Sequence, residues 1–210
     1  MRLRHRWWRL ARAWDDMPSL YRRNRPQVIL PEPVTTLTRL HLEIVDGCQL
    51  RCVGCPNSTL IRQPSFISPE LFRTCLRNLA VERVLDLKLF LFGEPLLHPQ
   101  LEELGAILRD EAPFELDVLE ISTNAQSKAQ AKLETLAAMG VLNRLAISCD
   151  GDATAERYEA LRPPAKWPRL LSFLAFASDL RRRHPQLQVV ARSIIEQPDD
   201  AKRWRAILEP

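Results

Sequence analysis

Three of the five cysteines, Cys48, Cys52 and Cys55, fall within eight residues in the run Asp46-Gly47-Cys48-Gln49-Leu50-Arg51-Cys52-Val53-Gly54-Cys55-Pro56-Asn57, a CX3CX2C spacing. Thiolates gathered this closely in one loop can wrap a single metal centre, and Gly47 and Gly54 let the backbone pass beside it without a Cβ. Three ligands rather than four leave one metal position open to a substrate or cofactor. A structural zinc site or a redox dithiol is the plainer reading, but structural zinc closes with a second, distant pair of ligands. The sequence shows no such pair: Cys75 lies in a helical pattern, and His5, His41, His98 and His184 are scattered. An electron-transfer iron–sulfur centre would be closed by a fourth Cys.

Further polar runs stand downstream: Phe90-Leu91-Phe92-Gly93-Glu94-Pro95-Leu96-Leu97-His98-Pro99, Ile121-Ser122-Thr123-Asn124-Ala125, Ile147-Ser148-Cys149-Asp150-Gly151 and Tyr158-Glu159-Ala160-Leu161-Arg162. The elements that must hold them alternate. Strand patterns cover Thr38–Val45, Val84–Phe92, Glu115–Ser122, Asn143–Ser148 and Leu187–Ile195. Helical patterns cover Pro69–Leu79, Gln100–Asp110, Gln126–Met139, Pro168–Arg182 and Ala201–Ile207. Five strands separated by helices argue for right-handed parallel βα units, hence an α/β barrel or an open doubly wound sheet. In both architectures function collects in the loops leaving the C-terminal strand ends, which is where the cysteine run and the first three polar runs fall.

Hydrophobic residues make up 46% and charged residues 27% of the 210, with Gly low at 6 and Pro high at 16. That is a packed globular chain with stiff loops, not collagen, coiled coil or disorder. The net charge of +4 is unevenly spread: residues 1–30 hold eight Arg and no Lys against Asp15 and Asp16, a net +6, and the other 180 residues carry 22 basic against 24 acidic side chains. The basicity therefore belongs to an arm, which argues against a nucleic-acid partner for the body. Within the arm, Leu3, Trp7, Leu10, Trp14 and Met17 recur at spacings of four and three with Arg2, Arg6, Arg9 and Arg12 off that line, which predicts an amphipathic helix over residues 2–17. Pro26, Pro31 and Pro33 make a stiff connector, dividing the chain into residues 1–36 and 37–210. The helix reads either as a docking element for a partner or membrane surface, or as a helix packing its Trp face on the body. No stretch approaches the roughly 20 apolar residues of a bilayer span, and the start lacks the apolar segment and cleavage site of a secretory signal. The expected location is cytoplasmic, where cysteines serve as ligands or catalysts more often than as disulfides.

Taken together, these motifs resemble the radical S-adenosylmethionine (radical SAM) superfamily, whose CX3CX2C loop after the first strand holds a [4Fe-4S] cluster with the open iron chelated by SAM. The resemblance implies Cys48, Cys52 and Cys55 as cluster ligands, with Gly54 as in subfamilies that carry a CxGCP segment. Gly93, Glu94 and Pro95 resemble the GEP motif that receives the SAM ammonium group, followed by the LLHP continuation of the peptide- and protein-modifying, SPASM-type branch. Phe92 stands in place of the first Gly of the more usual GGEP. Thr123 and Asn124 are similar to a TNG segment near the methionyl and ribose groups, although Asn124 also reads as a helix cap. Ser148 and Asp150 match an SxDG segment in which the Ser contacts SAM and the Asp shapes the turn. Arg162 ends a YExxR stretch and would pair with the SAM carboxylate or make a surface salt bridge. Arg192, costly to bury unpaired, points into the SAM or substrate cavity or lies at an exposed edge.

The implied fold is α/β: an incomplete TIM-like partial barrel of parallel strands with an N-terminal amphipathic helix. Five βα units are visible against the six usual in the family, and no cysteine-rich auxiliary-cluster domain follows. The expectation is a short member, or one completed by another chain. The implied activity is reductive cleavage of SAM to a 5′-deoxyadenosyl radical that abstracts a hydrogen atom from a substrate. A peptide or protein is the first choice of substrate, and an external donor such as flavodoxin or ferredoxin supplies the electron. The alternative is a non-catalytic radical SAM-fold protein that binds a cluster or a partner chain.

Overall fold

The computed structural model describes residues 34–58 and 64–208. The chain divides into two units, residues 1–33 and 34–210; the helix expected over residues 2–17 lies outside the described residues.

The second unit alternates strands and helices: β1 Thr36–Leu37, β2 Leu40–His41, β3 Val45–Asp46, β4 Ser65–Phe66, α1 Pro69–Arg77, β5 Arg83–Val84, β6 Leu87–Lys88, α2 Leu101–Glu111, β7 Glu115–Leu116, β8 Leu119–Thr123, α3 Gln130–Ala138, β9 Arg144–Ser148, α4 Ala155–Leu161, α5 Trp167–Arg183, β10 Gln188–Arg192 and α6 Pro198–Leu208. One ladder runs β2-β6-β8-β9-β10 and a second runs β1-β5-β7, all parallel. Spatial order thus follows chain order across five segments, which is the order of a barrel wall and not that of a doubly wound sheet.

The second and third expected strands are each broken in two, and the first is joined by β1, which precedes its expected start at Thr38. Leu37, Val84 and Leu116 share one register line and Leu40, Leu87 and Leu119 the next, so the breaks form one kink crossing three strands. Backbone hydrogen bonds continue through it, from Leu85 N to Leu37 O, Leu40 N to Asp86 O, Leu87 N to Val118 O and Asp117 N to Val84 O. The first expected strand also ends early, because β3 leaves the parallel wall and pairs antiparallel with β4. Residues Phe90–Phe92 form no strand; they are turned into the loop after β6.

Pleating sorts the wall into two faces. Leu87, Leu119, Ile121, Leu145 and Ile147 are fully buried and pack with Phe72, Leu76, Leu104, Leu108, Leu133, Leu136, Leu170 and Phe173 of the helices. Each such side chain contributes about 1.5–3 kcal/mol by leaving water. The helices that cover this face have local reasons to start. Ser68 Oγ accepts from Leu71 N with Pro69 in the first turn of α1, and Thr154 Oγ1 accepts from Arg157 N at α4. In α5 the buried positions Leu170, Phe173, Ala177 and Leu180 recur at three and four. Helix α4 was not foreseen, and α3 begins four residues later than its apolar pattern suggests. The opposite face of the wall carries Lys88, Glu120, Ser122, Arg144, Ser148 and Arg192, aligned by the register Lys88 with Glu120 with Arg144 and Ser148 with Arg192. Among the described residues no helix is long and apolar enough to cross a membrane.

Candidate functional site

The cysteine run leaves β3, and its geometry is set by its neighbours. Gly93 lies against it so closely that a Cβ there would stand 1.8 Å from Val45 O and 3.1 Å from Gly47 O; only glycine allows this approach. Glu94 N then donates to Gly47 O at 2.9 Å. Gly54 has φ +77, a left-handed turn that brings the chain back to Cys55, where Cys55 N reaches Cys52 O and Ser58 caps Cys55 O.

The far side of the loop is held by main chain. Arg51 N donates to Pro163 O at 2.6 Å and Val53 N to Leu161 O at 2.8 Å, so Cys52 and Arg162 face each other across a short two-rung latch. Arg162 is 7% exposed, with one guanidinium nitrogen on Asp150 Oδ2 and its charge over the Tyr158 ring at 5.9 Å. Its Nε is buried with no hydrogen-bond partner. Burial works against its charge, but Cys52, Asp150 and Tyr158 beside it outweigh that and hold its pKa above the ordinary value.

The turn after β6 resolves the position of Glu94. Its carboxylate is buried and accepts from Leu96 N at 3.1 Å and Asn124 N at 2.8 Å, with the Thr123 hydroxyl a third partner. Burial nevertheless pushes its pKa up. Pro95 is buried in the short 3-10 turn Pro95–Leu97. Below it His98, fully buried, uses both ring nitrogens, Nε2 toward Ile67 O and Nδ1 toward Gln100 N, which fixes the neutral ring with its proton on Nε2.

Asn124 is not a helix cap. Helix α3 begins at Gln130 with Ala129 at its N-cap position; the Asn124 Oδ1 accepts locally from Gln126 N at 2.9 Å in the turn before the helix, and the rest of the side chain's bonds go to the cysteine loop. It exchanges amide hydrogen bonds with Gln49 at 3.1 and 3.2 Å and donates to Cys48 Sγ at 3.3 Å. Leu50 N reaches the same sulfur at 3.4 Å. Burial pushes the Cys48 thiol up to about 11 and raises that of Cys52. Cys149 is fully buried in the apolar core, its thiol pushed up to about 12.

After β9, Asp150 accepts from Ile194 N at 2.9 Å through the oxygen that Arg162 leaves free. Arg162 is therefore a buried cross-link and not a surface salt bridge. Ser148 is half-buried on the polar face. Arg192, last residue of β10, lies with Nη1 2.6 Å from Glu120 Oε1. Glu120 has no exposed side-chain surface and also meets Lys88 at 2.6 Å and Arg144 at 3.1 Å. Burial works against its charge, yet the three cations hold its carboxyl below the ordinary value.

Some contributors escaped the sequence reading. Glu43 accepts from both Phe92 N and Gly93 N at 2.7 Å; its only signal was a lone carboxylate between Leu42 and Ile44. Gln126 bridges Tyr158 OH and the backbone of Lys166. Lys88 and Glu120 were visible as charges at alternate positions within strands. The structure thus joins Cys48, Cys52, Gly93, Glu94, Thr123, Asn124, Asp150 and Arg162 in one network of turns, and draws Arg192 toward Glu120. Among the described residues no three His, Cys, Asp or Glu side chains converge as ligands of one metal ion.

The solved structure of hexahistidine-tagged anSMEcpe with bound AdoMet is similar over 74% of this chain and 43% of that one, at 18% identity and TM-score 0.54. Native anSMEcpe with bound AdoMet and Cp18Cys peptide matches over 74% and 42%, at 17% identity and TM-score 0.52. The chain spans less than half the length of either, and the likeness is one of fold. No curated protein matches. A family model described as the radical SAM superfamily matches residues 42–188. That span runs from the strand before the cysteine loop to the start of β10 and takes in every turn of the network, so the chain belongs to the radical SAM superfamily, whose members use a [4Fe-4S] cluster and S-adenosylmethionine.

Proposed function

We propose that this chain is a radical SAM enzyme that abstracts a hydrogen atom from its substrate. Cys48, Cys52 and Cys55 hold the cluster. One observation carries the reading: the CX3CX2C loop is fixed on both flanks, by Gly93 against Val45 and by the Arg51 and Val53 latch to residues 161–163, while its thiols stay unbridged. The donor set fits the group. A [4Fe-4S] cluster takes its thiolates on separate irons, so its ligands need not converge on one point as those of a single ion do. The buried, unpartnered Nε of Arg162 offers a donor that no protein atom uses.

When bound, the cluster and SAM supply one-electron reductive cleavage and the radical that removes hydrogen. Gly93, Glu94 and Pro95 take the SAM ammonium group on a turn that Asn124 N and Leu96 N hold rigid. Thr123, Asn124 and Ser148 orient the nucleoside side, Arg162, held by Asp150, serves the carboxylate end, and Arg192, paired with Glu120, borders the substrate side. The polar face of the wall, floored by Lys88, Glu120 and Arg144, receives the substrate. The CxGCPN and FGEPLLHP stretches favour a peptide or protein substrate. The arm, residues 1–36, docks a partner, and the electron comes from an external donor such as flavodoxin or ferredoxin.

The test is anaerobic iron–sulfur reconstitution, then dithionite and SAM, with chromatography for 5′-deoxyadenosine. Its appearance is the expected result. A reduced cluster with no 5′-deoxyadenosine would overturn the catalytic reading in favour of a protein that only binds a cluster.

A further inference from the structure

We propose that Arg162 is a positioning residue for the cluster: fixed opposite Cys52, its guanidinium sets a buried positive charge beside that ligand and raises the reduction potential of the centre. The inference rests on Cys52 being a cluster ligand and deepens that reading. Four observations place the charge. The main-chain latch sets Arg162 opposite Cys52 whatever its side chain does, because the bonds run from Arg51 N to Pro163 O and from Val53 N to Leu161 O. Asp150 holds one end of the guanidinium, and the Tyr158 ring packs against it at 5.9 Å. Only 7% of the residue is exposed, so solvent screens little of its field. Finally, Nε remains an orphan, and a buried donor with no acceptor is costly unless a ligand completes it.

Net charge and hydrogen bonds to sulfur are the levers by which a protein sets an iron–sulfur potential. The centre gains one electron and no proton, from an external one-electron donor, and becomes one unit more negative. Arg162 favours that added charge over the oxidised state. Asp150 opposes it, since its carboxylate neutralises part of the guanidinium. The two residues therefore act on the potential with opposite signs, which a general loosening of the loop would not produce.

The experiment is an EPR-monitored potentiometric titration of the reconstituted full chain, without SAM. Arg162→Gln is expected to lower the ratio of reduced to oxidised cluster about tenfold at a fixed applied potential, equivalent to about 59 mV for one electron. Arg162→Lys, which keeps the charge, should shift it by less than half as much. Asp150→Asn should move the potential upward. An Arg162→Gln protein that titrates like the wild type, or an Asp150→Asn protein that moves downward, overturns the inference while leaving the cluster assignment intact. A wild type that takes up no cluster overturns both.

Discussion

The two ends of the polar face treat charge in opposite ways. Near the N-terminal ends of β8 and β9, Glu120 meets Lys88 and Arg144, Arg192 reaches it from the C-terminal end of β10, and Asp86 adds a second carboxylate 3.2 Å from Lys88. Charges there neutralise one another. In the turns beyond the C-terminal ends, main-chain bonds hold the loops, while the thiols of Cys48, Cys52 and Cys55 are unbridged and Arg162 keeps an unused N–H. Buried ion pairs with close partners are a means of fixing structure; Glu120 Oε1 and Asp86 Oδ1 are, like Arg162 Nε, buried without a hydrogen bond, so what sets the turns apart is three unbridged thiols with a buried cation opposite one of them. The difference separates a floor from a site.

The comparison breaks most sharply at the cysteines. Cys52→Ala should abolish cluster assembly, taking iron from about four per chain to background, with the brown colour and SAM cleavage lost together. Cys75→Ala, in helix α1, should leave iron uptake unchanged. Retained SAM cleavage in Cys52→Ala would remove the site from this end of the wall.

At the other end the expected effect is on stability. Glu120→Ala strands Lys88, which is 6% exposed, with Asp86 alone, and should cost about 3–5 kcal/mol in urea unfolding. Replacing Lys88 and Glu120 together by Met should recover most of that loss. The pH dependence follows from the direction of the Glu120 shift. Its folded pKa lies below the unfolded value of about 4.3, so its contribution is complete above that value and is lost as pH falls through the folded one. Wild-type stability should drop between about pH 5 and 3 by more than that of Glu120→Gln; equal drops would show that the floor is not held by charge.

The smallest effect sharpens the boundary between the ends. Ala125 sits at φ +60 just past β8, where a Cβ costs about 1–2 kcal/mol. Glycine would relieve this and return about 0.5–1 kcal/mol in unfolded-chain entropy. The net gain of about 0.5 kcal/mol should raise Tm by about 1–2 °C, and a lower Tm would mean the turn is held by packing of the methyl group instead.

What the sequence made legible was the periodic and the local. Five strand patterns and the CX3CX2C spacing were readable because pleating and loop chemistry leave marks within a few residues. The kink across β1/β2, β5/β6 and β7/β8 was not, since it is a property of three strands in register and each strand alone reads as one continuous alternating pattern. Helix α4 hid behind its motif: Tyr158 and Arg162 drew attention as chemistry and not as part of a helix turn. Asn124 looked like a cap because Ala-rich residues follow it; it does bond locally to Gln126 N, but the helix starts later and its other partners, Gln49 and Cys48, lie 75 and 76 residues away. Glu43 and the Lys88–Glu120 pair depend in the same way on partners brought together only by the fold.

The turn from Phe92 to His98 has no main-chain donor to spare. Phe92 N and Gly93 N go to Glu43, Glu94 N to Gly47 O, Leu96 N to the Glu94 side chain, Leu97 N to Glu94 O and His98 N to Pro95 O, and Pro95 has none. Carbonyl lone pairs are what such a segment has left to offer a visitor, and the Lys132 ammonium group already takes Leu96 O at 3.3 Å and His98 O at 2.6 Å. It is an electronegative rim made from backbone, selective by sign before any side chain is consulted: an ammonium group finds acceptors along it, and a phosphate or carboxylate arriving at the same place finds no amide to receive it.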